Sequence, residues 1–402
     1  MRVLFLHTNF PAQYRNIATA LAQEQGNQVM FGTMRAEGEL PRVGKGVFKT
    51  HREPHTETHP YIRPLETAVL QGQGVYRLAQ ALKQRGFVPD VVCGHSGWGV
   101  SLYVKDAFPA ARLLSYFEWY YNATGSDSDF LRDETPLSDD DRLRIRTKNA
   151  PILLDLAQCD RGLCPTAWQR QQFPALFQPR LSVLHDGIDT QFFAPKPGAR
   201  LQLPGLDLAQ VDELVTYVAR GMEPYRGFPQ FMAALAGLQR RRPGLHGVIV
   251  GEDRVAYGRS LPDGQTFKAK ALAELALDPA RTHFTGPLPY GQYLQVIQAS
   301  SVHVYLTVPF VLSWSMLEAL ATGCLVVGSD TPPVKEVIED GHNGLLTDFF
   351  DIGRIADRVE EVLDHPDRHA SLRRAARQTV LDTYDLRQLL PRQAELIRAL
   401  AR

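Results

Sequence analysis

The sequence predicts an α/β fold of two doubly wound domains, and three observations carry that expectation. The first is length: 402 residues exceed what one ordinary core holds, so two domains are the default. The second is rhythm, with short apolar, β-branched runs alternating with longer amphipathic ones, as parallel strands alternate with crossover helices. The third is one break in that rhythm at Phe193–Leu206 (FAPKPGARLQLPGL), rich in proline and glycine and poor in periodicity.

Taken in order, the expected strands of the first half are Val3–His7, Gln28–Gly32, Val91–Gly94, Leu113–Phe117, Gly162–Cys164 and Ser182–His185. Those of the second half are Leu214–Ala219, Gly247–Gly251, Thr282–Thr285, Val302–Leu306, Leu325–Gly328 and Gly344–Thr347. Helical periodicity falls on Gln13–Gln25, Leu65–Arg85, Phe228–Arg242, Phe267–Leu277, Tyr290–Ala299 and Ile352–Leu363. With the break read as a linker, the domains are 1–195 and 207–384. A final helix at about 385–402, after the weak point Tyr384–Asp385, would pack back on the first domain. One segment keeps no rhythm: Glu118–Asp141 is acidic and aromatic without a period, as long functional loops are.

Composition narrows the class. Lys plus Arg and Asp plus Glu are 44 each, so no overall field draws the chain to nucleic acid, and any anion site must be local. The cysteines, Cys93, Cys159, Cys164 and Cys324, have neither disulfide nor zinc spacing and suit a reducing cytoplasm. The N-terminal MRVLFLHTNFP reads as a buried strand, not a signal peptide, and no apolar run is long enough to span a bilayer. A Gly-x-Gly-x-x-Gly after the first strand, a Walker loop and a Gly-x-Ser-x-Gly elbow are all missing, against oxidoreductase, P-loop and hydrolase readings. No metal is expected: Asp127-Ser128-Asp129 resembles a metal-binding Asp-x-Asp but lies in the irregular segment and reads as solvated chain. Arg142–Lys148 (RLRIRTK) reads as a charged helix face, with contact to anionic lipid heads as the alternative.

In open parallel sheets ligands bind beyond the carboxyl ends of the strands, so the residues just after each strand are the candidates. Arg220 ends the first strand of the second domain and Arg226 opens the next helix. Guanidinium forks there match a diphosphate, though taken alone the pair reads more simply as solvated loop arginines. Leu312, Ser313, Trp314 and Ser315 would present helix-start amides to phosphate. Glu318 lies one turn further, where Ser315–Glu318 also fits a capping box. In the first domain His95 stands at a strand end between glycines, and Asn9 and Phe10 follow the first strand.

Arg220, Arg226, the Leu312–Gly323 turn and helix, and VLHDGIDTQFF (Val183–Phe193) together resemble the GT-B glycosyltransferases of family four. These are retaining enzymes with nucleotide-sugar donors and two Rossmann-like domains facing across a cleft, here an N-terminal acceptor domain and a C-terminal donor domain. The resemblance runs nearly the whole chain, and DTPPVKEVIEDGHNGLL (Asp330–Leu346) shares it. It implies that Arg220 and Arg226 grip the donor diphosphate and that Glu318 takes the ribose hydroxyls. His95 falls beside the transferred sugar, and Glu252 and Leu288 join the donor set. Catalysis would then rest on His95, Arg220, Arg226 and Glu318, with domain closure excluding water and no cofactor beyond the donor substrate. A UDP-sugar is favoured as donor, GDP- and ADP-sugars being the other candidates. Trp119, Tyr120 and Tyr121, with Asn9 and Phe10, are the acceptor candidates, for a carbohydrate or lipid-linked glycan, with peripheral contact to the inner membrane face. The chain departs from the pattern at Phe310, eight residues before Glu318, where the family has a glutamate that orients the donor sugar. Arg226 replaces the usual lysine, and Pro332-Pro333 a glycine-rich pair. Phe310 keeps two alternatives open: a catalytically silent binding or chaperone subunit, and a sugar-nucleotide epimerase or hydrolase.

Overall fold

A computed structural model describes residues 1–131 and 136–402. The chain divides into two compact units, Met1–Gly187 with Arg387–Arg402, and Ile188–Leu386. The first holds strands β1 (Arg2–Leu6), β2 (Gln28–Thr33), β3 (Gly44–Val47), β4 (Val91–His95), β5 (Arg112–Tyr116), β6 (Arg161–Cys164) and β7 (Leu181–Val183). They form one sheet in the order β3-β2-β1-β4-β5-β6-β7, all neighbours parallel. Both faces are covered, and so β1 and β4 are buried along nearly their full length, as parallel strands between helices must be. On one face Leu4, Leu6, Val92 and Leu113 meet Val75, Ala79 and Leu82 of the helix Arg63–Gln84. On the other, Val3, Phe5 and Val91 meet Ile17, Ala18 and Leu21 of the helix Arg15–Gln23. The final helix Leu386–Ala401 adds Leu389, Ala394 and Ile397 to that second core.

The second unit holds β8 (Leu201–Leu203), β9 (Leu206–Leu208), β10 (Glu213–Gly221), β11 (Leu245–Glu252), β12 (Thr282–Gly286), β13 (Val302–Tyr305), β14 (Val326–Ser329) and β15 (Leu345–Thr347). Its main sheet runs β12-β11-β10-β13-β14-β15, again parallel throughout. The helix Trp314–Ala321 packs Met316, Leu317 and Leu320 against Val326 and Val334. In each sheet the strand order reverses beside the first strand in sequence, between β1 and β4 and between β10 and β13, so those strand ends are the expected ligand-binding crevices.

The linker expectation needs correction. The chain crosses between units at Gly187/Ile188, ahead of Phe193–Leu206, and that stretch belongs to the second unit. Phe193 is buried beside Tyr293 and Met316, and β8 and β9 pair as an antiparallel hairpin whose Leu201 and Leu208 pack on Val248 and Val296. Pro204-Gly205 makes the turn, with Gly205 at φ 81, the positive dihedral a type II turn demands at its third position. The edge strand β3 (GKGV) also escapes the sequence reading, because four residues with two glycines carry no apolar period.

The acidic Glu118–Asp141 segment is less irregular than its composition suggests, although residues 132–135 lie outside the described residues. Ser126 and Ser138 each start a helix with a reciprocal capping box, Asp127–Phe130 and Asp139–Lys148. Asp127, read as solvated, is buried. No described helix is long and apolar enough to cross a membrane.

Candidate functional site

The second unit's site is built at the ends of β10 and β13. Arg220 is the penultimate residue of β10, exposed, and its side chain makes no hydrogen bond among the described residues. Arg226 is its opposite. It sits in a short 3-10 turn, Pro224–Arg226, only 6% exposed. Its Nη1 donates to Thr307 Oγ1 at 2.8 Å, the Val311 carbonyl at 2.9 Å and Tyr305 Oη at 3.2 Å. The rings of Tyr257 and Phe310 lie 5.4 and 5.8 Å from the guanidinium carbon. Arg226 is therefore a buried cation fixed by neutral oxygens and aromatic faces, not a solvated loop residue. Gly227 follows at φ 62, where a Cβ would stand 2.4 Å from Leu306 Cβ. Only glycine lets the chain turn into the helix Phe228–Arg241 this close to the strand.

Glu223 carries a role that the sequence reading missed. Fully buried, it accepts from three successive backbone amides, Ala256 (2.9 Å), Tyr257 (3.0 Å) and Gly258 (2.6 Å). One carboxylate thus fastens the segment after β11 to the turn that bears Arg226, and brings Tyr257 against Phe310 at 5.2 Å. The only sequence signal is its place two residues after a strand end. Replacing Glu223 with glutamine turns an amide donor toward N–H groups. A stability loss of about 2 kcal/mol is expected, read from the urea midpoint, with like loss in Glu223→Ala.

The helix start decides against Glu318 as a cap. The helix Trp314–Ala321 starts at Ser313, whose Oγ accepts from the Ser315 amide, so the Ser315–Glu318 capping box does not form. Glu318 instead lies 6% exposed in the helix interior and accepts from Tyr293 Oη at 2.9 Å. Burial pushes its carboxyl up to about 7, and the tyrosine bond only partly offsets this. Phe310 is also buried, its ring edge-on to Tyr225 at 5.6 Å. The expected row of free amides is not what forms here. The Ser313 amide donates to Tyr305 Oη at 2.8 Å and the Ser315 amide is used by the cap. Leu312 is buried, Trp314 is 38% exposed, Leu288 is half-buried, and Glu252 is exposed and paired with Arg254.

In the first unit the register of β1 against β4 pairs Leu6 with Gly94, which sets His7 beside His95, ring centres 4.8 Å apart. His95 is 4% exposed, its Nδ1 2.9 Å from the Ser96 carbonyl and its Nε2 3.5 Å from Glu118 Oε2. Tyr116, at the end of β5, lies 5.5 Å from the His95 ring and donates to Asp186 Oδ2 at 3.1 Å. Asp186 belongs to the His185–Asp189 segment, where burial lowers the His185 imidazole to about 4 and its Nδ1 accepts from the Gly187 amide. The acceptor candidates are scattered. Trp119 is buried against Trp168; Tyr121 sits under Lys148 Nζ at 3.6 Å; Tyr120 packs on Phe173. Asn9 and Phe10 stay at the strand end, Asn9 bonded to Arg35 and Phe10 under Lys45. Among the described residues no group of three or more His, Cys, Asp or Glu is placed to hold a metal.

Two family models divide the chain between them. Residues 25–193 match the glycosyl transferase family 4 group and residues 205–379 match the glycosyl transferases group 1. The chain belongs to the family-four, group 1 glycosyltransferases. Among curated relatives of this glycosyltransferase chain, it is 27% identical over 252 residues to a GDP-mannose-dependent alpha-(1-6)-phosphatidylinositol monomannoside mannosyltransferase of Mycolicibacterium smegmatis. That match covers 57% of this chain and 60% of the relative. A glycogen synthase of Mycobacterium tuberculosis is 23% identical over 96% of this chain and 91% of its own. The fold is that of HepE from Anabaena, solved with UDP-glucose, at a TM-score of 0.72 and 16% identity over 99% of this chain and 100% of that one. Sucrose-phosphate synthase from Thermosynechococcus elongatus superposes at 0.74, 17% identical, over 100% and 99%. Both are GT-B glycosyltransferase structures, so the α/β fold expected from sequence is the fold found.

Proposed function

We propose that the protein transfers a sugar from a nucleoside-diphosphate sugar to a hydroxyl acceptor with retention of configuration, in glycan or glycoconjugate synthesis. The observation that carries this is the second unit's switch point, where an exposed Arg220 and a preorganised buried Arg226 stand after the end of β10 and a desolvated Glu318 lies on the helix that follows β13. Charge grows on the departing diphosphate, and the guanidinium already fixed in place, Arg226, stabilises it without reorganisation. The Glu318 carboxylate accepts the ribose hydroxyls, and Arg220 supplies two parallel donors to phosphate oxygen. His95 contacts the transferred sugar in this reading, and Asn9 and Phe10 remain acceptor contacts. UDP and GDP are the donor bases to test first, given a neighbour solved with UDP-glucose and relatives named for GDP-mannose. A carbohydrate or lipid-linked acceptor, met in the cytoplasm or at the inner membrane face, fits the lipid-linked substrate in the first relative's name.

The test is release of nucleoside diphosphate across a panel of nucleotide sugars, with Arg220→Ala beside the wild type. Because Arg220 holds nothing in the fold, its loss is expected to leave the melting temperature within a degree or so. Nucleotide affinity should fall roughly tenfold or more by calorimetry. Unchanged affinity and turnover would remove the diphosphate clamp. Phe310 favours a second reading, a silent subunit, and selective nucleotide binding without turnover of any donor is its signature.

A further inference from the structure

The turn after β4 is held from below by a carboxylate that no part of the proposed chemistry uses. Asp155, on the helix Ala150–Gln158, is 1% exposed. Its Oδ2 accepts from Ser96 Oγ at 2.8 Å and from the Gly97 amide at 3.2 Å, and its Oδ1 from Gln158 Nε2 at 3.4 Å. Ser96 in turn offers its carbonyl to His95 Nδ1 at 2.9 Å. The imidazole is thus oriented by a carbonyl whose own residue is gripped on its side chain and at the next amide by Asp155. Ile152, one turn earlier on the same helix, lies close against Gly97, where an added Cβ would stand 3.4 Å from Ile152 Cγ1.

We propose that Asp155 is a positioning residue for His95, fixing the Ser96–Gly97 turn so that the imidazole keeps one orientation. The inference rests on the transferase reading only for what His95 does; the fastening itself belongs to the first unit's geometry. A buried carboxylate is costly, and a fold that served packing alone would do better with an apolar or amide side chain. Burial lifts the Asp155 carboxyl to about 6, while Ser96, Gly97, Gln158 and the nearby His95 each favour the ionised form. Cys159, the other titratable neighbour, is itself held protonated by burial. The proton count sets the direction. The folded-state value lies above the usual 3.8, so ionisation costs stability as pH rises through about 6 and the turn's grip is strongest above it. Below about 6 the protonated acid keeps at most part of the grip.

The experiment is amide hydrogen exchange of residues 94–100 by mass spectrometry between pH 5 and 8, corrected for intrinsic rates, on the full chain. In the wild type, protection is expected to fall below about pH 6. Asp155→Asn should exchange about tenfold faster at pH 7.5 and lose that pH dependence. Ser96→Ala removes a bond that favours the ionised form, so its breakpoint should move to higher pH, which a merely structural contact would not do. In nucleotide-sugar assays Asp155→Asn should lower kcat more than it raises KM. Exchange at 94–100 that is the same in both variants and flat with pH overturns the proposal. A wild type that turns over no nucleotide sugar, yet shows the exchange pattern, supports the fastening and overturns the transferase reading alone.

Discussion

Glu318→Gln is expected to stabilise the protein above pH 7 while weakening its hold on nucleotides. The reason is the same for both effects. Burial raises the Glu318 carboxyl from 4.5 to about 7, so the ionised form is disfavoured in the fold relative to the unfolded chain. That cost is absent below the unfolded value, grows between about 4.5 and 7, and is fully present above it. At about 1.4 kcal/mol per unit it amounts to something on the order of 3 kcal/mol, which an uncharged glutamine does not bear. The binding consequence runs the other way. Two ribose hydroxyls need an acceptor-only carboxylate, so wild-type nucleotide affinity should climb with pH through about 7, while the variant binds weakly and evenly across the range. Tyr293→Phe sharpens the test, because the tyrosine bond lowers the carboxyl, and losing it should carry the midpoint of that climb upward. Thermal melts and calorimetry from pH 5.5 to 8.5 read both. Affinity that is flat with pH in the wild type and unchanged in the glutamine variant would leave Glu318 a core residue with no ligand role.

Arg226→Ala is expected to cost about 3 kcal/mol or more of folding stability, in contrast to Arg220→Ala. One nitrogen of Arg226 satisfies Tyr305, Thr307 and the Val311 carbonyl, and its plane is covered by Tyr257 and Phe310. Truncation leaves buried oxygens without their donor and a void where the guanidinium stood. Arg226→Lys keeps the charge but loses the planar guanidinium that lies against the Tyr257 and Phe310 rings, so an intermediate loss is expected. Urea midpoints of the three variants give the ranking directly. Equal midpoints for Arg226→Ala and the wild type would mean that the cation contributes nothing to the fold.

Those two arginines illustrate what could be read in advance. Their positions after a β-branched run were legible because strand ends in parallel sheets are where polar groups collect, and twelve strands were marked by apolar runs alone. Their difference was not legible. Arg220 and Arg226 are six residues apart in similar loop sequence, yet one is exposed and the other buried, because Tyr305, Thr307 and Val311 arrive from some eighty residues downstream. Glu223 was missed for the same reason, its three amide donors lying more than thirty residues on. The capping box at Ser315–Glu318 failed as a local reading because Tyr305 takes the Ser313 amide and sets the helix start two residues earlier. Trp119 looked like a ligand-stacking ring in an aperiodic loop, and its burial against Trp168 is a packing outcome no local pattern records.

By itself the sequence determined the alternation of strand and helix, the break at Tyr384–Asp385, and which residues stand at strand ends, since periodicity and turn chemistry act over a few residues. Only the tertiary structure decided which of those residues are charged groups held rigidly in the interior, which remain available, and where one unit gives way to the next. Desolvation and hydrogen-bond satisfaction depend on neighbours brought from far along the chain, and for Glu318, Arg226 and Asp155 those neighbours set both cost and role.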